Sequence, residues 1–270
     1  MLSRLTKKIA ILFLVIISNN SYAQELETEV NLYLARPSDV NSPTNRYIHD
    51  LLSKSFAKVD KKANFIYSIK PMNKKRIVEE LEKSNSINLA WLAVNPDSTT
   101  NLVHTSLPIY KGLHGKRLLM INKSQQQRFA KINTLEELKP LIALQKQSWS
   151  DFQILKRNGL TVNGELNYKS MIKALDTKLG DYFPRSVSAI EAETAKQKHL
   201  NLMIEPTIML QYTNQYFFYS SAQNQELISL LQEGLTKMQQ SGEFDELYLS
   251  YFGEKEQRLN LSNRKVFELK

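Results

Sequence analysis

Apolar residues along this chain follow two periods. Residues 29–36, EVNLYLAR, alternate and predict a first strand, and RPSDVNSPTN (36–45) follows as a loop. From 44 to 59, Tyr47, Leu51, Leu52 and Phe56 share one helical face, with Thr44 or Asn45 as the cap. NFIYSIK (64–70) predicts a second strand. NKKRIVEELEKSN (73–85) predicts a second helix, capped by Asn73 with Ile77, Val78 and Leu81 inward, and INLAWLAV (87–94) a third strand. This βαβαβ order predicts a parallel sheet covered by helices. After NPDSTTN, residues 103–122 form two extended segments joined at Gly112 and Gly115. A second unit then opens with a helix at 134–140, capped by Thr134 and stopped by Pro140. It continues with a strand at 141–145, helices at 148–159 (terminated by Gly159) and 168–180, a strand at 181–186 and a helix at 188–197. Residues 200–205 and 215–221 are extended again. The stretch 224–253 predicts a long helix, a glycine break and a second helix, with Leu227, Leu230, Leu231, Leu235 and Met238 on one face.

The chain thus divides into two α/β units, the second inserted into the first, with crossings near 115–120 and 213–219. The boundaries are 24–117 with 216–270 for the first lobe and 118–215 for the second. A cleft between two such lobes is the natural place for a ligand.

The first 23 residues stand outside this scheme. Arg4, Lys7 and Lys8 precede the apolar run IAILFLVII, and SYA (21–23) offers the small residues a signal peptidase requires. The run is shorter than the roughly 20 residues that span a bilayer. A cleavable signal peptide is expected, with export to a bacterial periplasm and Gln24 as the new first residue. The chain has no cysteine, so neither a disulfide framework nor a thiol nucleophile is available. The leader holds three of the nine net positive charges, which leaves +6 for the remainder, scattered rather than striped. Nucleic-acid binding is therefore not expected, and a mild attraction for anionic solutes is.

Candidate chemistry is sparse. The four histidines, His49, His104, His114 and His199, lack metal-ligand spacing. No GxSxG, GxxxxGK[ST] or GxGxxG motif occurs, so no catalytic residue, cofactor or metal is expected. Asp151 and Glu205 are the carboxylates a lyase would have to recruit. Arg185 ends the apolar turn DYFPR. An arginine so placed needs a partner: it either faces the cleft as a donor for an anion or closes a surface turn with Glu191. Trp91, near the end of the third strand, either stacks on a ligand or packs in the core. Trp149 and Ser150, beside Ser148, lie at a helix start that suits an anion, although Asp151 opposes one. Arg36 and Arg46 flank the first strand–helix loop. Thr105, Ser106 and Tyr110 precede the first crossing and offer hydroxyls.

With its leader, this layout resembles the periplasmic solute-binding proteins of ABC transporters, family 3, the amino-acid type, over nearly all of the chain beyond the leader. LPIYKGLHGKRLLMI (107–121) is similar to that family's approach to its first hinge, and INTLEELKPLIALQKQSWSDFQILKRNGL (132–160) to the run that opens its second lobe. YKSMIKALDTKLGDYFPRS (168–186) is similar to its "l..Gr.Da" helix and strand, in a form found in a divergent branch. LISLLQEGLTKMQQSGEFDELYLSYFG (227–253) is similar to its closing helix pair and is the most specific match. The resemblance implies a type II periplasmic binding protein-like fold, in which each lobe is a mostly parallel sheet flanked by helices and the lobes are joined by a two-strand hinge. It also implies capture of a small polar or anionic, amino-acid-like solute for an ABC permease, by a monomer. A membrane sensor or another protein is the alternative partner on the same fold, and a dehydratase-like lyase the third reading. The family's carboxylate-binding Arg would fall near Thr99 and its ammonium-binding Asp at Ser186, so both usual amino-acid contacts are replaced in this sequence.

Overall fold

The structure, a computed structural model, describes residues 28–37, 39, 41–84, 86–93 and 101–270; the leader and Thr99 lie outside the described residues. The first unit comprises β1 (Thr28–Arg36), α1 (Pro43–Ala57), β2 (Lys61–Pro71), α2 (Lys74–Glu82), β3 (Ala90–Leu92) and β4 (Leu102–His104). The second comprises β5 (Lys116–Asn122), α3 (Gln126–Ala130), α4 (Leu135–Leu138), β6 (Ala143–Leu144), α5 (Ser150–Arg157), β7 (Val162–Asn163), α6 (Tyr168–Asp176), β8 (Tyr182–Ser186), α7 (Ile190–Lys196) and β9 (Leu202–Tyr212). The chain then returns through β10 (Phe217–Ser221), α8 (Gln225–Ser241) and α9 (Glu243–Arg258), and ends in β11 (Lys265–Leu269).

The alternation in β1 has the expected effect: Leu32 and Leu34 are buried while Asn31 and Tyr33 face outward. β1 pairs in parallel with β2, and β10 pairs antiparallel with both β3 and β4. Asn88 joins the two groups. Its backbone N–H donates to the Tyr33 carbonyl (2.9 Å), its side-chain oxygen accepts from the Tyr33 N–H (2.8 Å), and its amide nitrogen donates to the Asn31 carbonyl (2.9 Å). The first unit thus holds two hydrogen-bonded sheets, β1-β2 and β3-β10-β4, tied together through Asn88.

On α1, Tyr47, Leu51, Leu52 and Phe56 are fully buried, as their spacing predicts. The cap lies upstream of the expected Thr44 or Asn45. Ser42 accepts from the Asn45 N–H at 3.3 Å, and Pro43, which has no N–H to satisfy, takes the first helical position. Asn73 and Thr134 cap α2 and α4 as expected, and Gly159 ends α5 at φ +79°. Helix α8 packs against α1 so closely that a Cβ on Gly234 would lie 2.0 Å from the Ser55 carbonyl oxygen.

The second sheet has the order β11-β9-β5-β8-β6-β7, in which only β5 runs against the others. The assignment of 216–270 to the first lobe needs correction at its end: β11 hydrogen-bonds to β9 and belongs to the second sheet. Three connections therefore cross between the sheets, at 105–115, 213–216 and 259–264. At the first two, the backbones nearly touch, since a Cβ on Gly115 would lie 2.0 Å from the Tyr212 carbonyl oxygen.

β9 is longer than residues 200–205 suggest and carries a wide bulge. Leu118 pairs with Met209 and Met120 with Ile204, so residues 205–208 oppose Leu119 alone. The fully buried Glu205 closes the bulge by accepting from the Thr207 N–H (2.9 Å), the Thr207 hydroxyl (2.6 Å) and the Ile208 N–H (2.5 Å). Arg264 donates to the Glu205 and Ile208 carbonyls and to Leu259 O (2.5, 3.1 and 2.8 Å).

Candidate functional site

Strands β6, β7 and β8 run in parallel, so their carboxyl ends share one edge of the second sheet, and α5, α6 and α7 begin there. Such an edge is where open α/β sheets bind ligands. It brings together four of the residues singled out from the sequence, Trp149, Ser150, Arg185 and Ser186.

Arg185 at the end of β8 is mostly buried, and it is paired. Its Nε and Nη2 donate to the two carboxylate oxygens of Glu193 on α7, both at 2.5 Å. The turn-closing partner expected from the sequence, Glu191, instead bonds Arg258 of α9 (3.2 Å). The Arg185 guanidinium lies over three rings, Phe183 at 4.8 Å, Trp149 at 5.0 Å and Tyr168 at 5.9 Å. Such cation–π contacts favour a delocalised, weakly hydrated cation. Trp149 also stacks on Phe183, centroids 6.3 Å apart and planes within 12°. With its charge met by Glu193, Arg185 keeps Nη1 as a donor with no partner among the described residues. Ser150 is exposed at the first residue of α5, and Ser186 shares a hydrogen bond with Ser188 (2.9 Å). Ser148 lines a shallow hollow of about 400 Å³ alongside, with Lys146, Glu165 and Asn167.

A second cluster fixes this edge to the crossing. Asp151, in the first turn of α5, is buried and accepts from Arg117 Nε (2.6 Å), Arg117 Nη2 (3.1 Å) and the Tyr212 hydroxyl (2.5 Å). Burial alone would raise the Asp151 pKa. The Arg117 hydrogen bonds and charge, the Tyr212 hydroxyl and the charge of Arg185 together hold it below the usual value. Arg117 Nη1 donates to the His114 carbonyl (2.8 Å). Burial, and then the Arg117 charge, push His114 down to about 4, so its ring is neutral at pH 7.

In the first unit, Arg36 and Trp91 meet at a cavity of about 230 Å³ at the carboxyl ends of β1 and β2, walled by Pro71, Met72, Ile77 and Leu89. Arg36 is held by Ser68, its Nε on the carbonyl (3.0 Å) and its N–H on the hydroxyl (3.0 Å). The other two first-lobe candidates lie elsewhere. Arg46 projects from α1 near Tyr251, whose hydroxyl donates to Asp50 (2.5 Å). Ser106 is bonded to Gln232 of α8 through its N–H (2.6 Å) and hydroxyl (3.0 Å). Tyr168, Glu193, Arg117 and Tyr212 escape the sequence reading. Of these only Glu193, one strand-to-helix turn after Arg185, carries a local signal. Among the described residues, no cluster of three or more His, Asp or Glu side chains is placed to hold a metal ion, and no helix is long and apolar enough to cross a membrane.

No protein-family model and no curated protein matches the sequence. Solved structures do. The second substrate-binding domain assigned to an amino acid ABC transporter from Streptococcus pneumoniae aligns at TM-score 0.55 and 14% identity, over 83% of this chain and 99% of that one. The second substrate-binding domain of GlnP from Lactococcus lactis, in its open conformation, aligns at TM-score 0.51 and 17% identity, over 76% of this chain and 84% of that one. At these identities the likeness is one of fold: the chain has the two-lobed α/β fold of type II solute-binding domains, the class its sequence pattern implies.

Proposed function

We propose that this chain is an extracytoplasmic solute-binding protein that captures a small polar or anionic solute between its lobes and presents it to an ABC permease. The observation that carries the reading is the placement of the candidates: Trp149 and Arg185 at the carboxyl ends of strands in the second sheet, and Arg36 and Trp91 at the cavity on the carboxyl ends of β1 and β2. That is the edge from which open α/β sheets contact ligands. The engagement of Asp151 by Arg117 and Tyr212, and of Glu205 by its own bulge, supports a binding role over a lyase. A general acid or base must be free to reach a substrate proton, and both carboxylates are committed.

The test is a thermal-shift screen of residues 24–270 against amino acids, dicarboxylates, phosphorylated metabolites, polyamines and short peptides. A ligand at 100 times its Kd adds about 2.7 kcal/mol of stability. At least one chemical class should raise the melting temperature, and Trp149→Ala should abolish that shift. If no solute moves the transition, the cleft serves a protein partner and the transport reading is lost.

A further inference from the structure

The first-lobe cavity is built for a narrower class of solute than the fold requires. Among the described residues, Met72, Ile77, Leu89, Pro71 and Trp91 line it, the other walls are alanine and proline, and Arg36 is the one charged residue in the lining. Arg36 spends Nε on the Ser68 carbonyl. Among the described residues its Nη1 and Nη2 have no acceptor, and no carboxylate stands within ion-pair distance of it. The guanidinium is thus fixed at its root, with a free pair of donors beside an apolar hollow.

We infer that this cavity takes a monocarboxylate with an aromatic or branched apolar body and without an α-ammonium group; the inference deepens the solute-binding reading and rests on it. A carboxylate matches the two free donors of the guanidinium as a bidentate pair. The apolar body gains by leaving water for carbon-lined walls, and a ring gains further by packing on the Trp91 indole. An ammonium beside the carboxylate is excluded. It would stand next to Arg36 with no acid among the described lining residues to pair it, and an unpaired charge in such a site is costly. The cavity volume of about 230 Å³ is below the roughly 300 Å³ at which drug-sized sites begin. It therefore accepts one ring with a short side chain and excludes a peptide. The two lobes then divide the work. Arg36 supplies the net charge that meets the anion, while Arg185, neutralised by Glu193, adds only a hydrogen-bond donor and a flat face.

The experiment uses 3-phenylpropionate, its uncharged amide and L-phenylalanine, which share one ring and differ at the head. The chain contains two tryptophans, so a ¹⁵N-labelled sample gives two indole N–H signals, and Trp91→Phe assigns them. 3-Phenylpropionate should shift the Trp91 signal to saturation. The amide and L-phenylalanine should each bind at least tenfold more weakly. Arg36→Gln, a change at an exposed side chain, should bring the acid down to the affinity of the amide and leave the amide unchanged. If L-phenylalanine or L-glutamine binds and the acid does not, the inferred class is wrong and the solute-binding reading stands. The site assignment fails if the acid binds equally well to Arg36→Gln. If none of these and no member of the broader thermal-shift panel binds, the solute-binding reading itself falls.

Discussion

Asp151 and Arg117 are each within about a tenth of full burial, and removing one leaves the other charged and unpaired. Breaking a buried pair in this way costs about 3–5 kcal/mol. Asp151→Asn should lose that much in urea denaturation at pH 7. Because the folded-state pKa of Asp151 is depressed, its contribution is present above the ordinary carboxylate value of 3.8 and is lost as the pH falls through the folded value. His114 acts in the same direction at a higher pH. Its folded pKa of about 4 lies below its ordinary 6.5, so the unfolded chain binds that proton more readily and stability declines from about pH 6.5 toward 4. A melting-temperature profile should show this decline, and His114→Gln should flatten it. None of this network is legible in the sequence, where Asp151 reads only as a charge in a first helical turn. Its partner lies 34 positions earlier. The Arg185 pairing was closer to hand: the sequence offered Glu191 as a turn partner, two residues short of Glu193. The sequence predicts a helix from 188, but α7 begins at Ile190. On α7, Glu191 and Glu193 are about 200° apart around the axis, so only Glu193 faces the arginine while Glu191 turns to Arg258.

Helix glycines offer a paired prediction at the scale of elements. Gly→Ala in a helix ordinarily gains up to about 1 kcal/mol. At Gly234 the new methyl would strike the Ser55 carbonyl of α1, so Gly234→Ala should instead destabilise by about 1–3 kcal/mol. At Gly253 in α9 the same methyl meets only the Leu249 side chain, at 3.4 Å, and Gly253→Ala should be neutral or stabilising. Chemical denaturation of the two variants side by side checks the sign of each. Most elements were legible because their apolar faces and end signals agree: Tyr47, Leu51, Leu52 and Phe56 in α1, Asn73 before α2, Gly159 after α5. The exceptions have physical causes. Pro206 argues against a strand, and β9 tolerates it because residues 205–208 leave the β5 ladder as a bulge. β11 is five residues of edge strand, too short to separate from a loop by alternation alone.

The last strand also has a consequence for the molecule as a whole. Truncation after Arg264 removes Phe267 and Leu269 from the core they share with Ile208 and Leu210, and leaves the β9 edge unpaired. Loss of two buried side chains of this size costs at least about 5 kcal/mol, a large part of a domain's net stability. Residues 24–264 should give little soluble protein, or a transition far below that of 24–270 in a thermal melt. The two-lobed α/β architecture was legible from the βαβαβ order and from a first unit interrupted by an inserted second one. What the sequence did not reveal is the third crossing, which places the chain's end in the opposite sheet from its start.

All three crossings enter the second sheet on adjacent strands, β5, β9 and β11. The sheet is bound along one margin, like a page. Strands β8, β6 and β7, which lead into Arg185, Trp149 and Tyr168, make up the loose side of that page. With neighbouring strands about 4.8 Å apart, β7 stands about 14 Å from β5, so each turn of about 10° about the margin sweeps it about 2.5 Å. Tyr168, carried beyond β7, therefore travels farthest for the least bending at the spine, and Phe183 on β8 the least.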